Sequence, residues 1–122
     1  MNQPVKLIEC PRDAMQGWKE SIPTATKVEY LNALLRVGFD TLDCGSFVSP
    51  KAIPQMADTR DVIPQLDLTG TSTKLLTIIA NERGPQMPWH LIRSLTWVFP
   101  FRYRKHFSSV MPTVLLWSRW AG

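Results

Sequence analysis

Three short runs of apolar or β-compatible residues and one helix-spaced stripe organise the first two thirds of the chain. The runs cover residues 5–8, 39–44 and 75–80, and none shows a clean alternation of apolar and polar residues, which is typical of strands buried in a parallel sheet. Between the first two runs, apolar residues recur at helical spacing from Thr24 onwards, and Gly38 stands where a helix would end. Strand, helix and strand at this spacing predict one right-handed βαβ unit.

A third β-unit completes the predicted architecture. Pro54 makes the segment after the second strand irregular, Asp58 or Thr59 begins a short helix, and the third strand follows. Three β-units within about 80 residues match the cadence of a TIM barrel, in which each β/α unit takes roughly 30 residues. The predicted fold class is therefore α/β, a partial TIM (β/α)8 barrel of about three β/α units over residues 1–84, followed by a different tail.

The candidate chemistry stands after the first two predicted strands. Arg12 and Asp13 follow the first strand, with Gln16 shortly after them, while Asp43 stands at the end of the second strand and Ser46 in the loop directly after it. Because ligands and catalytic groups sit beyond the carboxyl ends of parallel strands, we expect these side chains at one site. The alternative is a solvated Arg–Asp pair at the surface, with Asp43 and Ser46 as plain turn residues.

Residues 85–122 differ from the rest of the chain in composition. They hold five Lys or Arg and no acid, whereas residues 1–84 hold nine Lys or Arg and ten acids, so the net charge of +4 belongs to the tail. Four of the five Trp and both His lie there among scattered prolines, and no helical or alternating period predicts a regular element. Basic residues among aromatics can contact nucleic acid or a membrane surface. Since no face gathers the charge, we expect neither partner.

No feature of the sequence indicates export or membrane insertion. Cys10 and Cys44 are too far apart for a CxxC pair, and the first residues lack a charged and apolar leader. No run approaches the about 18 apolar residues that a membrane span requires. We therefore expect a cytoplasmic protein in which Cys44 is a small buried core residue.

Three motifs carry a resemblance to a known family. Residues 9–16 read E-C-P-R-D-A-M-Q, residues 46–51 read S-F-V-S-P-K, and residues 54–56 read P-Q-M. With them, residues 5–84 resemble the amino-terminal third of hydroxymethylglutaryl-CoA lyase and its relatives in the DRE-TIM metallolyase superfamily. The R-D-x-x-Q pattern also occurs in aldol-type synthases, whereas the S-F-V-S-P-K loop followed by P-Q-M is specific to the lyase branch. Asp43 departs from the family pattern, because the lyases usually carry Glu there.

The resemblance implies metal-dependent retro-aldol cleavage of 3-hydroxy-3-methylglutaryl-CoA, an acyl-CoA substrate, to acetyl-CoA and acetoacetate. Arg12 and Asp13 are the implied catalytic residues. Asp13 matches a ligand of a divalent metal cation, Mg²⁺ or Mn²⁺, and Arg12 matches the cation that faces the thioester oxygen of the bound substrate. Asp43 and Ser46 match substrate-binding places, and Gln16 orients the Arg12–Asp13 loop.

The family's paired metal-binding histidines and its mobile cysteine loop find no match in this sequence. We therefore expect the chain alone to be catalytically incomplete and to hold no metal tightly. Two other functions stay open. One is an acyl-CoA condensing synthase of the citramalate or isopropylmalate type, against which the S-F-V-S-P-K loop argues. The other is a small non-catalytic binding protein with a basic aromatic tail.

A shift of reading frame would explain the composition of the tail. Back-translated with suitable synonymous codons and read one base earlier, residues 99–109 give F-P-F-S-I-S-E-T-F-Q-Q, which resembles the fourth-strand region of the lyases. We expect a single-base deletion at or near the codon of Gly84. The test is to resequence codons 80–90 and about 700 bases beyond, the length that a barrel of about 250 residues requires. A restored frame with two histidines one residue apart supports the shift, and a sound frame that stops after Gly122 contradicts it.

Overall fold

A parallel sheet lies at the centre of the structure, a computed structural model that describes residues 3–79 in full and, in addition, the backbone of residues 95–100 and 114–117. The strands follow one another across the sheet in chain order: β1 (Ile8–Glu9), β2 (Thr41–Phe47), β3 (Lys74–Ile79), β4 (Leu95–Pro100) and β5 (Val114–Trp117). The described helices are α1 (Pro11–Gln16), α2 (Thr24–Leu35) and α3 (Thr59–Val62), with short 3-10 helices at Pro54–Met56 and Ile63–Gln65. The predicted α/β class is confirmed.

Helix α2 packs its apolar stripe on the sheet and so builds the core. It begins after Pro23, whose extended ψ of 144° suits the residue before a helix, and Gly38 beyond its end adopts a left-handed φ of +93°. Both boundaries agree with the predicted helix. The buried core between the helices and the sheet comprises Leu31, Leu35, Leu42, Cys44, Val62, Ile63, Leu66, Leu75 and Ile79. The predicted burial of Cys44 is therefore confirmed.

The prediction of a buried first strand is wrong. Strand β1 has two residues, and Val5, Leu7 and Ile8 are 86%, 63% and 54% exposed. The reason is that β1 is an edge strand of the described sheet and pairs with β2 alone. The predicted turn after it is helix α1, since Pro11 at the first helical position has its φ preset for a helix.

The sequence predicts no regular element in residues 85–122. The backbone forms strands β4 and β5 there, so the prediction is wrong for residues 95–100 and 114–117. Each is a short run of mostly apolar residues without alternation, as parallel strands with two covered faces often are. The remainder of the basic, Trp-rich tail, with His90 and His106, lies outside the described residues.

A close approach between Gly45 and Thr59 brings α3 onto the carboxyl end of β2. The pairing of β2 with β3 is irregular between Asp43 and Gly45, and a Cβ on Gly45 would lie 2.5 Å from Thr59 Cγ2. The buried Thr59 Oγ1 accepts a hydrogen bond from the Ser46 N–H (3.2 Å) and donates to the Met56 carbonyl (2.8 Å). Glycine is therefore required for the helix to reach this strand end.

We expect Gly45→Ala to lower the free energy of unfolding by about 1–3 kcal/mol, because the added Cβ overpacks against Thr59. Adding Thr59→Ser should restore part of the loss, since serine lacks Cγ2 and keeps the hydroxyl. Urea unfolding midpoints measure both effects. The control is Gly17→Ala, where φ is −81° and the nearest atom to the new Cβ is 3.8 Å away. An unchanged midpoint for Gly45→Ala would contradict the close approach.

Candidate active site

A largely buried ion pair joins the carboxyl end of β1 to strand β2. Arg12 is the second residue of α1, directly after β1, and Asp43 stands in the middle of β2. Arg12 Nε lies 3.0 Å from Asp43 Oδ1 and 2.9 Å from Oδ2, and the two side chains are 13% and 7% exposed. The two carboxylate oxygens share the single Nε–H donor, and this charge-assisted contact holds the guanidinium beside Asp43.

Gln16 holds the other side of the same guanidinium. Its Oε1 accepts a hydrogen bond of 2.9 Å from Arg12 Nη1, one helical turn along α1. Among the described residues, no side chain engages Arg12 Nη2. Arg12 is thus anchored through Nε and Nη1, and Nη2 remains available to a ligand.

Asp13 and Ser46 stand outside this hydrogen-bonded set. The Asp13 side chain is 79% exposed, and its Oδ1 lies 3.9 Å from Arg12 Nη1. Ser46 is 2% exposed within β2, and its backbone N–H contacts Thr59 rather than the ion pair. The structure therefore brings Arg12, Gln16 and Asp43 together, places Asp13 at their rim and separates Ser46 from them.

Asp13 is a hard oxygen donor in an open position, which suits a divalent cation. In the described part of the chain, however, no group of three or more His, Cys, Asp or Glu side chains is placed to hold a metal ion. One exposed carboxylate does not make a complete divalent site. The described residues alone therefore do not fit a bound metal.

Burial governs the protonation of the groups around the ion pair. It raises the pKa of Asp43 above its usual range, and the facing Arg12 guanidinium partly offsets that rise. Burial and the Asp43 carboxylate together raise the pKa of the Cys10 thiol, and burial raises the pKa of Cys44 to about 12. Neither thiol is therefore a thiolate nucleophile near neutral pH.

Comparisons with known proteins bear on this site. No protein-family model matches the chain. It is 41% identical over 83 residues to a mitochondrial hydroxymethylglutaryl-CoA lyase of Arabidopsis thaliana, a match that covers 67% of this chain and 18% of that protein. It is 45% identical over 65 residues to the 3-hydroxy-3-isohexenylglutaryl-CoA/hydroxy-methylglutaryl-CoA lyase of Pseudomonas aeruginosa, covering 51% of this chain and 22% of the relative. The resemblance to hydroxymethylglutaryl-CoA lyases is confirmed.

A solved structure supports the same likeness. The hydroxymethylglutaryl-CoA lyase of Acinetobacter baumannii, solved with coenzyme A and 3-methylmalate, is 30% identical with a TM-score of 0.64, over 76% of this chain and 31% of that one. The chain thus spans less than a third of each of these hydroxymethylglutaryl-CoA lyases. No helix in its described part is long and apolar enough to cross a bilayer.

Sequence reasoning missed a second largely buried ion pair in the described part of the chain. Lys27 is 4% exposed, and its Nζ lies 2.6 Å from Asp58 Oδ1, while Thr24 Oγ1 donates to Asp58 Oδ2 over 2.6 Å. The helical period places Lys27 on the polar face of α2, and its partner lies 31 residues away. No pattern in the sequence links the two, so only the fold reveals the pair.

We expect Arg12→Met to raise the pKa of Asp43 further, because the attraction and the hydrogen bonds of the guanidinium are lost while the burial remains. A carboxyl whose pKa is raised on folding favours the folded state most at low pH, and this contribution is lost as the pH rises through the folded pKa. The variant should therefore be destabilised at neutral pH and recover on acidification. Carbon-13 NMR titration of Asp43 measures the shift, with the exposed Arg36→Met as control. An unchanged Asp43 titration would contradict the pairing.

Proposed function

We propose that this chain carries the anion-stabilising part of a carbon–carbon lyase site of the hydroxymethylglutaryl-CoA lyase type, on the first β/α units of a partial TIM barrel. The observation that supports this most is the Arg12 guanidinium, which Asp43 and Gln16 hold just beyond the carboxyl end of β1, beside the parallel strand β2. A rigid cation at this edge suits a substrate on which negative charge develops.

The proposed reaction breaks the bond between C2 and C3 of 3-hydroxy-3-methylglutaryl-CoA. The tertiary hydroxyl loses its proton, its oxygen becomes the carbonyl of acetoacetate, and the electron pair of the broken bond forms the enolate of acetyl-CoA. The enolate oxygen is the former thioester carbonyl oxygen, and a fixed guanidinium binds it more strongly than it binds the neutral carbonyl. Arg12 therefore lowers the barrier, and a proton added to C2 completes acetyl-CoA.

Asp43 has a different task in this proposal. Because both of its oxygens face Arg12 Nε, it holds the guanidinium in one orientation and leaves Nη2 for the substrate. Ser46 belongs to the same strand end as a substrate-binding residue, and Asp13 offers one oxygen to a divalent cation. Since the described residues complete no metal site, we propose that the chain alone is inactive and route no step through a metal.

The related condensation forms the same enolate in the opposite direction, so a synthase is the second candidate. The names of the similar proteins favour cleavage, because the relatives reported above are called lyases. The acyl-CoA substrate is proposed from those names and from the coenzyme A in the Acinetobacter structure.

A segment exchange tests the function. Residues 5–79 of this chain replace the matching segment of the Pseudomonas aeruginosa lyase, and acetoacetate release from 3-hydroxy-3-methylglutaryl-CoA is measured with Mg²⁺ or Mn²⁺ present. We expect an active chimera, and no release of acetoacetate from this chain alone. Within the chimera, Arg12→Gln should lower kcat by about 10²–10³-fold, the usual cost of one donor to a developing oxyanion.

The matched control is Arg36→Gln, which removes the same charge from an exposed position after α2 and should leave kcat unchanged. A chimera that folds and binds acyl-CoA but condenses instead of cleaving would favour the synthase. A folded chimera with full activity after Arg12→Gln would contradict the role of Arg12.

A further inference from the structure

The carboxamide of Gln55 bridges two chain segments at the carboxyl-end face of the sheet. Gln55 lies in the 3-10 helix Pro54–Met56, and its Oε1 accepts a hydrogen bond of 2.9 Å from the Ile22 N–H. Its Nε2 donates to the Glu20 carbonyl over 2.7 Å and to the Trp18 carbonyl over 3.4 Å. One side chain thus satisfies three backbone groups of residues 18–22, the connection between α1 and α2.

These three contacts require an amide at this position. A carboxylate has acceptors only and would face the Glu20 and Trp18 carbonyls with like polarity, while an alanine reaches none of the groups. A reversed amide would set N–H against N–H at Ile22, so the partners also fix the orientation of the Gln55 carboxamide.

The 3-10 helix that carries Gln55 is itself anchored to the body of the protein. The Gln55 carbonyl accepts a hydrogen bond from Nζ of the buried Lys27, which also pairs with Asp58. Gln55 is therefore fixed relative to α2, and through its side chain it fixes residues 18–22 relative to α2 as well.

Residues 18–22 continue directly from the site. Gln16 ends α1 and holds Arg12 Nη1, and one residue, Gly17, separates it from the connection. A cavity of about 350 Å³ separates the connection from the segment before α3, and both Gln16 and Gln55 line it. Gln55 therefore holds the two walls of the cavity together at one end. At the other end the wall is Gln16, which binds Arg12.

We propose that Gln55 is a positioning residue for Arg12. By holding residues 18–22 against the 3-10 helix, it fixes the carboxyl end of α1, hence Gln16, and through Gln16 the guanidinium. Only the expected effect on catalysis rests on the proposed function. Because the positioning of Arg12 is tested without catalysis, a failure of the positioning is distinguishable from a failure of the proposed function.

The first measurement needs no variant. In NMR spectra of the wild-type chain, the side-chain Nε2 protons of Gln55 should exchange with solvent more slowly than those of Gln65, whose amide is exposed and contacts only the nearby Asp61 carbonyl. Equal exchange at the two side chains overturns the proposal, whatever the variants do.

The second measurement uses Gln55→Glu, which keeps the shape and an acceptor for Ile22. At neutral pH, the Ile22 amide should exchange about threefold to tenfold faster than in the wild type, the effect of losing one or two hydrogen bonds. The Arg12 Nε–H signal should shift and exchange faster as well. Below the pKa of the new carboxyl its O–H can donate to a carbonyl, so both ratios to the wild type should return towards one.

Three comparisons separate positioning from a loss of stability. Gln65→Glu makes the same change on the neighbouring 3-10 helix and should leave Ile22 and Arg12 unaffected. Gln55→Ala should accelerate exchange of the Ile22 amide by the same factor over the wild type at every pH. The charged neighbours Lys19, Glu20 and Lys27 are the same in the wild type and the variant, so their effects cancel in the ratios. Faster Ile22 exchange with an unchanged Arg12 signal, or no recovery of Gln55→Glu in acid, overturns the proposal.

Discussion

A buried carboxylate must be paired, and Asp43 meets this requirement through Arg12. An ion removed from water without a partner costs several kcal/mol, and here the strand that carries Asp43 is buried along most of its length. The two residues lie 31 positions apart, on different β-units. The pair can form only when β1 runs parallel to β2 with both carboxyl ends at one edge, so the register of Ile8 opposite Thr41 and the place of α1 agree with this contact.

Polar contacts between distant residues also hold the loops at the carboxyl-end face of the sheet. Lys27 and Asp58 form another ion pair across 31 residues, and Gln55 spans a similar distance to reach backbone groups. Apolar packing gives the core its volume but is not directional. Hydrogen bonds depend on direction, so they give the loops above the sheet a defined shape.

Elements with strong local signals could be predicted from the sequence. Helix α2 and strand β3 follow from spacing and from Gly38, since the information lies within the element itself. Burial of the first strand could not be predicted, because it depends on which strands lie beside it. Lys27 and Gln55 were missed for a related reason, as each contact joins distant segments and leaves no periodic trace.

The candidate site was predictable to the extent that topology determines it. Parallel strands place the residues after β1 and in β2 at one edge, which accounts for Arg12, Gln16 and Asp43. The sequence did not indicate that Ser46 belongs to the buried strand rather than to the loop, since β2 continues through Phe47. Nor did it indicate how exposed Asp13 is, because the direction of a side chain on α1 depends on how that helix packs.

Because strand β1 is short, the stability of the site depends on local opening of the segment that carries Arg12. Only two residue pairs join β1 to β2, and the apolar side chains before Glu9 stand in water rather than in the core. Hydrogen exchange in other proteins shows that such segments open at lower free energy than the core to which they attach. We therefore expect residues 8–22 to be the part of the described chain that opens most easily while α2, β2 and β3 remain folded, and each such opening would separate Arg12 from Asp43.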